Sequence, residues 1–141
     1  MNLVNRRHFV ALSSAAALGA TFFDVPKLLG ASSDPFGGFP IGAQSYSLRN
    51  FTALEAIRHM QGMGIHFIEF AGKHLSIAAT KDEIAEMHAV LKKADISISA
   101  HGVNGFTKDH KKNRAVFEFA KRAGIKNITA NPEPDSFDSL D

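Results

Sequence analysis

The sequence predicts an α/β fold in which short parallel strands alternate with amphipathic helices. Apolar strand-like segments begin near Ile41, Ile65, Ile96 and Ile125. One unit therefore takes roughly 25 to 30 residues, which suits a strand–helix–strand crossover. A polar loop and a helix-like apolar period follow each of the first three segments, and two of these helices start with a capping sequence.

The first segment that looks folded is Phe39–Asn50, with the sequence FPIGAQSYSLRN. Its apolar and polar residues alternate over 41–46, as expected for a strand, and a loop follows. Thr52 and Glu55 have the spacing of a capping box, so a helix is predicted from Thr52 to Gly62 or Gly64. Its predicted apolar face comprises Ala53, Ala56, Ile57, Met60 and Met63.

The later units repeat this order. The second helix starts after Thr80, whose capping partner is Glu83, and Asp95 stands where a helix-ending glycine is usual. Its predicted apolar face is Ile84, Met87, His88 and Leu91. The other predicted elements are strands Ile65–Phe70, Ile96–Ala100 and Ile125–Ala130, a helix from Asp109 to Ala123, and a helical turn at Asp135–Asp141.

The N-terminal segment, residues 1–32, has the features of a twin-arginine signal peptide. Arg6 and Arg7 precede a moderately apolar run from Phe9 to Phe23, and small residues follow near Ala31. This pattern predicts export to the periplasm or the medium by the twin-arginine machinery, and an uncleaved anchor is the alternative. Residues 33–39 read as a Pro/Gly/Ser linker.

The charge balance argues against a nucleic-acid partner. Of 16 basic and 14 acidic residues, three basic and one acidic lie in residues 1–32, which leaves 13 of each. A near-neutral domain lacks the basic footprint of nucleic-acid binding. The absence of cysteine excludes disulfides, thiolate metal sites and a cysteine nucleophile.

Four strand–helix units can form an open sheet or half of a closed eight-stranded barrel. A complete barrel needs about 250 residues. The first loop lacks G-x-G-x-x-G, so a dinucleotide fold has no support. In a half barrel over residues 40–141, the strands near Ile41 and Ile125 would be unpaired edges, which favours self-association or instability.

The order IGAQSYSLRNF, MGIHFIEFAGKH, ISISAHGVNG and NRAVFEFAKRAGIKNITANPEPDSFDSLD resembles the N-terminal half of the xylose isomerase-like TIM-barrel superfamily. It is most similar to the secreted sugar phosphate isomerase/epimerase group. The resemblance implies a (βα)8 barrel that holds a divalent metal (Mn, Co, Mg or Zn) at the carboxyl ends of its strands. It also implies proton transfer between neighbouring carbons of a sugar-like substrate.

In that group the main metal ligands come from strands five to eight. We therefore expect the 141-residue chain to be a truncated form with weak isomerase activity or none. One alternative is a non-enzymatic half barrel, either an inert fragment or a module that dimerises, and the other is a metal-dependent hydrolase similar to endonuclease IV. The related endonuclease IV-like enzymes take ligands from strands two to four, and the loosely corresponding positions are His74, His101 and Glu133.

The candidate substrate-binding residues lie where strands give way to loops, which is the functional end of such barrels. They are Gln44, Tyr46, Glu69 and His101. Glu69 interrupts an apolar strand, so it needs a partner, water or a function, and a salt bridge to Lys73 or a neighbouring strand is the alternative. His101 precedes Gly102 and can face a pocket, or can bond a loop carbonyl. Catalytic residues are not identified.

Overall fold

The computed structural model describes residues 35–139, and the predicted export leader over residues 1–32 lies outside them. The strands are β1 (Gly42–Gln44), β2 (Phe67–Phe70), β3 (Ser97–Phe106) and β4 (Ile128–Pro132). The helices are α1 (Ala53–Gly62), α2 (Lys81–Ala94) and α3 (His110–Arg122), with short 3₁₀ helices at Ser45–Leu48 and Pro134–Ser139. Among residues 35–139, no helix is long and apolar enough to cross a membrane.

The four strands form one parallel sheet in the order β1-β2-β3-β4. A helix connects each strand to the next, so the predicted α/β architecture with a parallel sheet is confirmed. In the part of the chain that the structure describes, β1 and β4 are the edges of the sheet. Parallel strands place all their carboxyl ends at the same edge, where side chains from several loops can meet.

The predicted helix starts are confirmed in detail. Thr52 and Glu55 form a capping box at α1, and Thr80 and Glu83 form a second one at α2. Each carboxylate accepts a backbone N–H, and these bonds lower the pKa of both glutamates. Met63 was wrongly placed on the apolar face of α1, since it follows the last helical turn and is 48% exposed.

The predicted starts of three strands are too early, because Ile65, Ile96 and Ile125 close the preceding helices. Each of these isoleucines donates its backbone N–H to a carbonyl five residues earlier, at 2.9–3.0 Å. The residues just before them, Gly64, Asp95 and Gly124, have left-handed backbones with φ between 56° and 71°. This geometry is the Schellman motif, in which the apolar residue after the left-handed one packs back against the helix. The prediction for Asp95 is confirmed.

One face of the sheet is covered by the helices and forms the core. Ala43, Ile68 and Ile98 lie on this face at matching register positions. Buried side chains from all three helices complete it, and the core includes Ile57, Met60, Ile68, Phe70, Leu91 and Phe119. The opposite face carries the alternate residues Gly42, Phe67 and Ser97, which are partly or fully exposed. We call these the closed face and the open face.

Candidate functional site

The open face carries a hydrogen-bonded pair of polar side chains at the carboxyl ends of β1 and β2. Gln44 and Glu69 are register partners, and Gln44 Nε2 donates to Glu69 Oε1 at 3.1 Å. Both side chains are partly buried. The predicted alternative for Glu69 was an ion pair, but the partner is a neutral amide. The Gln44 amide therefore orients the Glu69 carboxyl group through one hydrogen bond.

These residues border a cavity of about 430 Å³ on the open face. Its lining includes Gly42 from β1, Phe67 and Glu69 from β2, and Ser99 from β3. An aromatic ring next to a carboxylate, an amide and a hydroxyl suits a polyhydroxylated ligand, because apolar ring faces and polar groups alternate on both partners. Sequence reasoning missed Ser99, although its alternation with Ile98 was a signal.

The loops after β1 and β2 form the rim of this site. Ser45 is fully buried and its Oγ accepts the backbone N–H of Ala71 at 2.8 Å, so the two loops are held together. A second cavity of about 350 Å³ lies at this rim, and its lining includes Gln44, Tyr46, Lys73 and Gly102. Tyr46 is 53% exposed, so it is available to a ligand.

Two cations stand at the rim. The guanidinium of Arg49 lies 5.1 Å from the centre of the Tyr46 ring, and Lys73 Nζ donates to the Arg49 carbonyl. Lys73 thus pairs with backbone rather than with Glu69. Neither cation was singled out from the sequence as a site residue. Together they favour an anionic or electron-rich group near Tyr46.

His101 lies on the closed face, away from the open-face pair. It is 1% exposed, and its ring packs edge-on against Phe119 with centroids 4.9 Å apart. Nε2 lies 2.9 Å from the Leu75 carbonyl and must donate to it, so Nδ1 accepts from the Asn104 amide at 3.2 Å. Both ring nitrogens are thus engaged. Of the two predictions for His101, the hydrogen bond to a loop carbonyl agrees with this geometry. The prediction that His101 faces a pocket and binds substrate is wrong.

A register shift between β2 and β3 explains where His101 points. Ile68 pairs with Ile98, but Glu69 pairs with Ala100, so β3 has one extra residue at Ser99. Because side chains alternate between faces with a period of two, one extra residue turns His101 onto the helix side. The sequence shows the alternation but not the bulge.

A second irregularity follows in β3, opposite β4. His101 pairs with Ile128 and Asn104 pairs with Ala130, so β3 again has one residue too many. The Asn104 amide nitrogen donates to the His101 carbonyl at 3.0 Å. Asn104 therefore ties the backbone of the bulge to the histidine ring and positions both.

The three residues suggested as metal ligands do not form a ligand group. His74 is buried, with Nε2 3.1 Å from the Phe51 carbonyl, and Glu133 is exposed in the turn after β4. Its neighbour Asp135 pairs with Lys108 at 2.9 Å, which lowers the pKa of Asp135. Within residues 35–139, no group of three or more histidine, aspartate or glutamate side chains could hold a metal ion.

Comparisons with known proteins support the fold alone. No protein-family model and no curated protein matches the chain. Among solved structures, the chain is similar to an uncharacterized protein from Parabacteroides distasonis ATCC 8503, with a TM-score of 0.63 and 22% sequence identity. The match covers 72% of this chain and 47% of the other, so the chain spans about half the length of that protein.

Proposed function

We propose that β1–β4 are part of a (βα)8 barrel of the xylose isomerase-like type that isomerises or epimerises a sugar-like substrate. In this arrangement the open face is the barrel interior and the carboxyl ends of the strands are the substrate side. Gln44, Tyr46 and Glu69 bind substrate hydroxyls. The export leader predicted from residues 1–32 would make this an exported enzyme.

The Gln44–Glu69 pair is the observation that supports this proposal. A polar pair on a sheet face is unfavourable unless water, protein or a ligand satisfies its remaining groups. Gln44 holds Glu69 through Oε1. A carboxylate fixed in this way can accept hydrogen bonds from two adjacent hydroxyls, or take a proton from a substrate carbon next to a carbonyl.

The metal that the resemblance implies does not fit the described residues of this chain. Both ring nitrogens of His101 are engaged, and His74 has only Nδ1 without a partner, so these two residues and the exposed Glu133 do not form a ligand group. We assign no step of the reaction to a metal held by residues 35–139. Ligands for the complete form would come from further strand–helix units, consistent with the 47% coverage of the structural neighbour.

Sugar turnover tests this proposal. We expect the 141-residue chain to interconvert aldoses and ketoses, or epimers, very slowly even with added Mn²⁺ or Co²⁺. We expect a longer form that includes further units to turn over the substrate, and to lose most activity in Glu69→Gln with its fold unchanged. Full activity of Glu69→Gln in the longer form would refute the assigned role of the open face.

A second candidate is a self-associating module, favoured by the uncovered open face. Phe67 is only partly buried there, and Phe39, three residues before β1, is 73% exposed. A second copy could cover this face and pair with the edge strands. Sedimentation of the chain at increasing concentration tests this: a compact dimer supports it, and a monomer at all concentrations excludes it.

A further inference from the structure

A separate cavity of about 750 Å³ lies on the helix side of the molecule, away from the open face. It is an open pocket bordered by the loop after β2, the first turn of α1 and one side of α2. Leu54, Met87 and Val90 give it a largely apolar wall. Its volume lies within the range of small-molecule sites, and nothing in the proposed sugar chemistry uses it.

His74 lines this cavity and has a buried ring nitrogen, Nδ1, for which no hydrogen-bond partner is found. The residue is 8% exposed, and it lines the cavity. Its Nδ1 is the one buried side-chain nitrogen or oxygen among residues 35–139 for which no hydrogen-bond partner is found. An unpaired buried polar atom is costly, so a group that bonds it would be held firmly.

The role of Nδ1 follows from the other ring nitrogen. Nε2 lies 3.1 Å from the Phe51 carbonyl, which can only accept, so Nε2 carries the hydrogen. In the neutral ring Nδ1 is then an acceptor. Its partner must be a donor, such as a hydroxyl.

The acidic side chains at the cavity restrict the charge that its ligand can carry. Glu83 and Glu86 also line the cavity. The backbone N–H and the hydroxyl of Thr80 donate to the Glu83 carboxylate, and these bonds lower the pKa of Glu83. Two carboxylates at an apolar cavity repel anions, so fatty acids and similar carboxylates are disfavoured.

We propose that this cavity binds a neutral, largely apolar small molecule through one hydroxyl that donates to His74 Nδ1. The apolar body rests on Leu54, Met87 and Val90. This site lies apart from the Gln44–Glu69 pair and does not depend on the proposed sugar reaction.

The probes are β-naphthol, its methyl ether and β-naphthoate, titrated by fluorescence into the 141-residue chain. We expect the naphthol to bind at least tenfold more tightly than the ether, which cannot donate, and the naphthoate to bind most weakly. Equal affinities for naphthol and ether would refute the role of Nδ1. Absence of naphthol binding up to its solubility would refute the site.

Three variants test whether the naphthol probe binds in this cavity. Ala89→Trp adds an indole at an exposed α2 position on the cavity wall and should abolish binding. Ala115→Trp is the control, at an exposed position of α3 outside the lining, and should bind as the wild type does. His74→Phe should bind naphthol and ether equally. Undiminished binding by Ala89→Trp would place the probe elsewhere and overturn the proposal.

Discussion

Strand β2 presents two phenylalanines to opposite sides of the same sheet, and their surroundings differ completely. Phe70 is fully buried on the closed face beneath the helices. Phe67 lies on the open face, partly exposed, beside Glu69 and Ser99. The closed face therefore belongs to the packed core, whereas the open face is an accessible surface with both polar and aromatic groups that a ligand can contact.

Truncating these two rings gives the largest expected contrast. Phe70→Ala should lower the free energy of unfolding by about 3–5 kcal/mol, because it leaves a cavity in a packed core. Phe67→Ala should cost less, about 1–2 kcal/mol, since the ring is partly exposed and its removal leaves no closed cavity. Urea denaturation of both variants measures this. Equal losses would mean that the open face is covered in solution.

The β3–β4 contact gives the next largest effect. A Cβ on Gly102 would lie 2.6 Å from the Thr129 carbonyl oxygen, so Gly102→Ala must push the strands apart. We expect a loss of about 1–3 kcal/mol, as for other overpacked sites. Gly105→Ala is the matched control in the same strand, with no atom within 4 Å of the added carbon. An unchanged free energy of unfolding in Gly102→Ala would show that β3 and β4 are not in close contact at this position.

Replacing a polar residue by an apolar one should also affect stability differently on the two faces. His101→Leu leaves the Leu75 carbonyl without its histidine partner and removes one of the acceptors of the Asn104 amide, which should cost about 1–3 kcal/mol. Ser99→Ala, two residues earlier on the open face, should change stability by less than about 0.5 kcal/mol. Thermal unfolding of both variants checks this. A neutral His101→Leu would argue that the ring is not a structural element.

The smallest effect concerns the helix layer that covers the closed face. The pKa of Glu83 is lowered in the folded state by its bonds to Thr80, so its ionised form stabilises α2. That contribution is present above the unfolded pKa and is lost as the pH falls through the lower folded pKa. Glu83→Gln should therefore reduce Tm slightly at neutral pH and not at strongly acidic pH. A difference in Tm between the variant and the wild type that does not change with pH would show that the ionised Glu83 carboxylate is not its cause.

The closed face and the helices could largely be predicted from the sequence. Capping boxes and helix periodicity are local patterns, so Thr52, Thr80 and the apolar face of α1 near Ile57 are readable from the chain. The strand starts were misjudged, because an isoleucine that ends a helix looks the same as one that begins a strand.

The candidate site was only partly predictable. Gln44 and Glu69 follow from strand alternation, and their contact follows from the parallel register. The direction of His101 could not be predicted, because it depends on a bulge set by the pairing of β3 with β2. The unpartnered Nδ1 of His74 depends on the path of a whole loop, which no local pattern encodes.

The central claim is that the open face at the ends of β1 and β2 binds a sugar-like molecule. Its most direct test is a titration of the isotope-labelled 141-residue chain with aldoses and ketoses, followed by amide NMR. We predict shifts that cluster at Gln44, Glu69 and Ser99, including the Gln44 side-chain amide, and that vanish in Glu69→Gln. Shifts confined to the cavity around Met87 and Val90, or no shifts at saturating sugar, would contradict the claim.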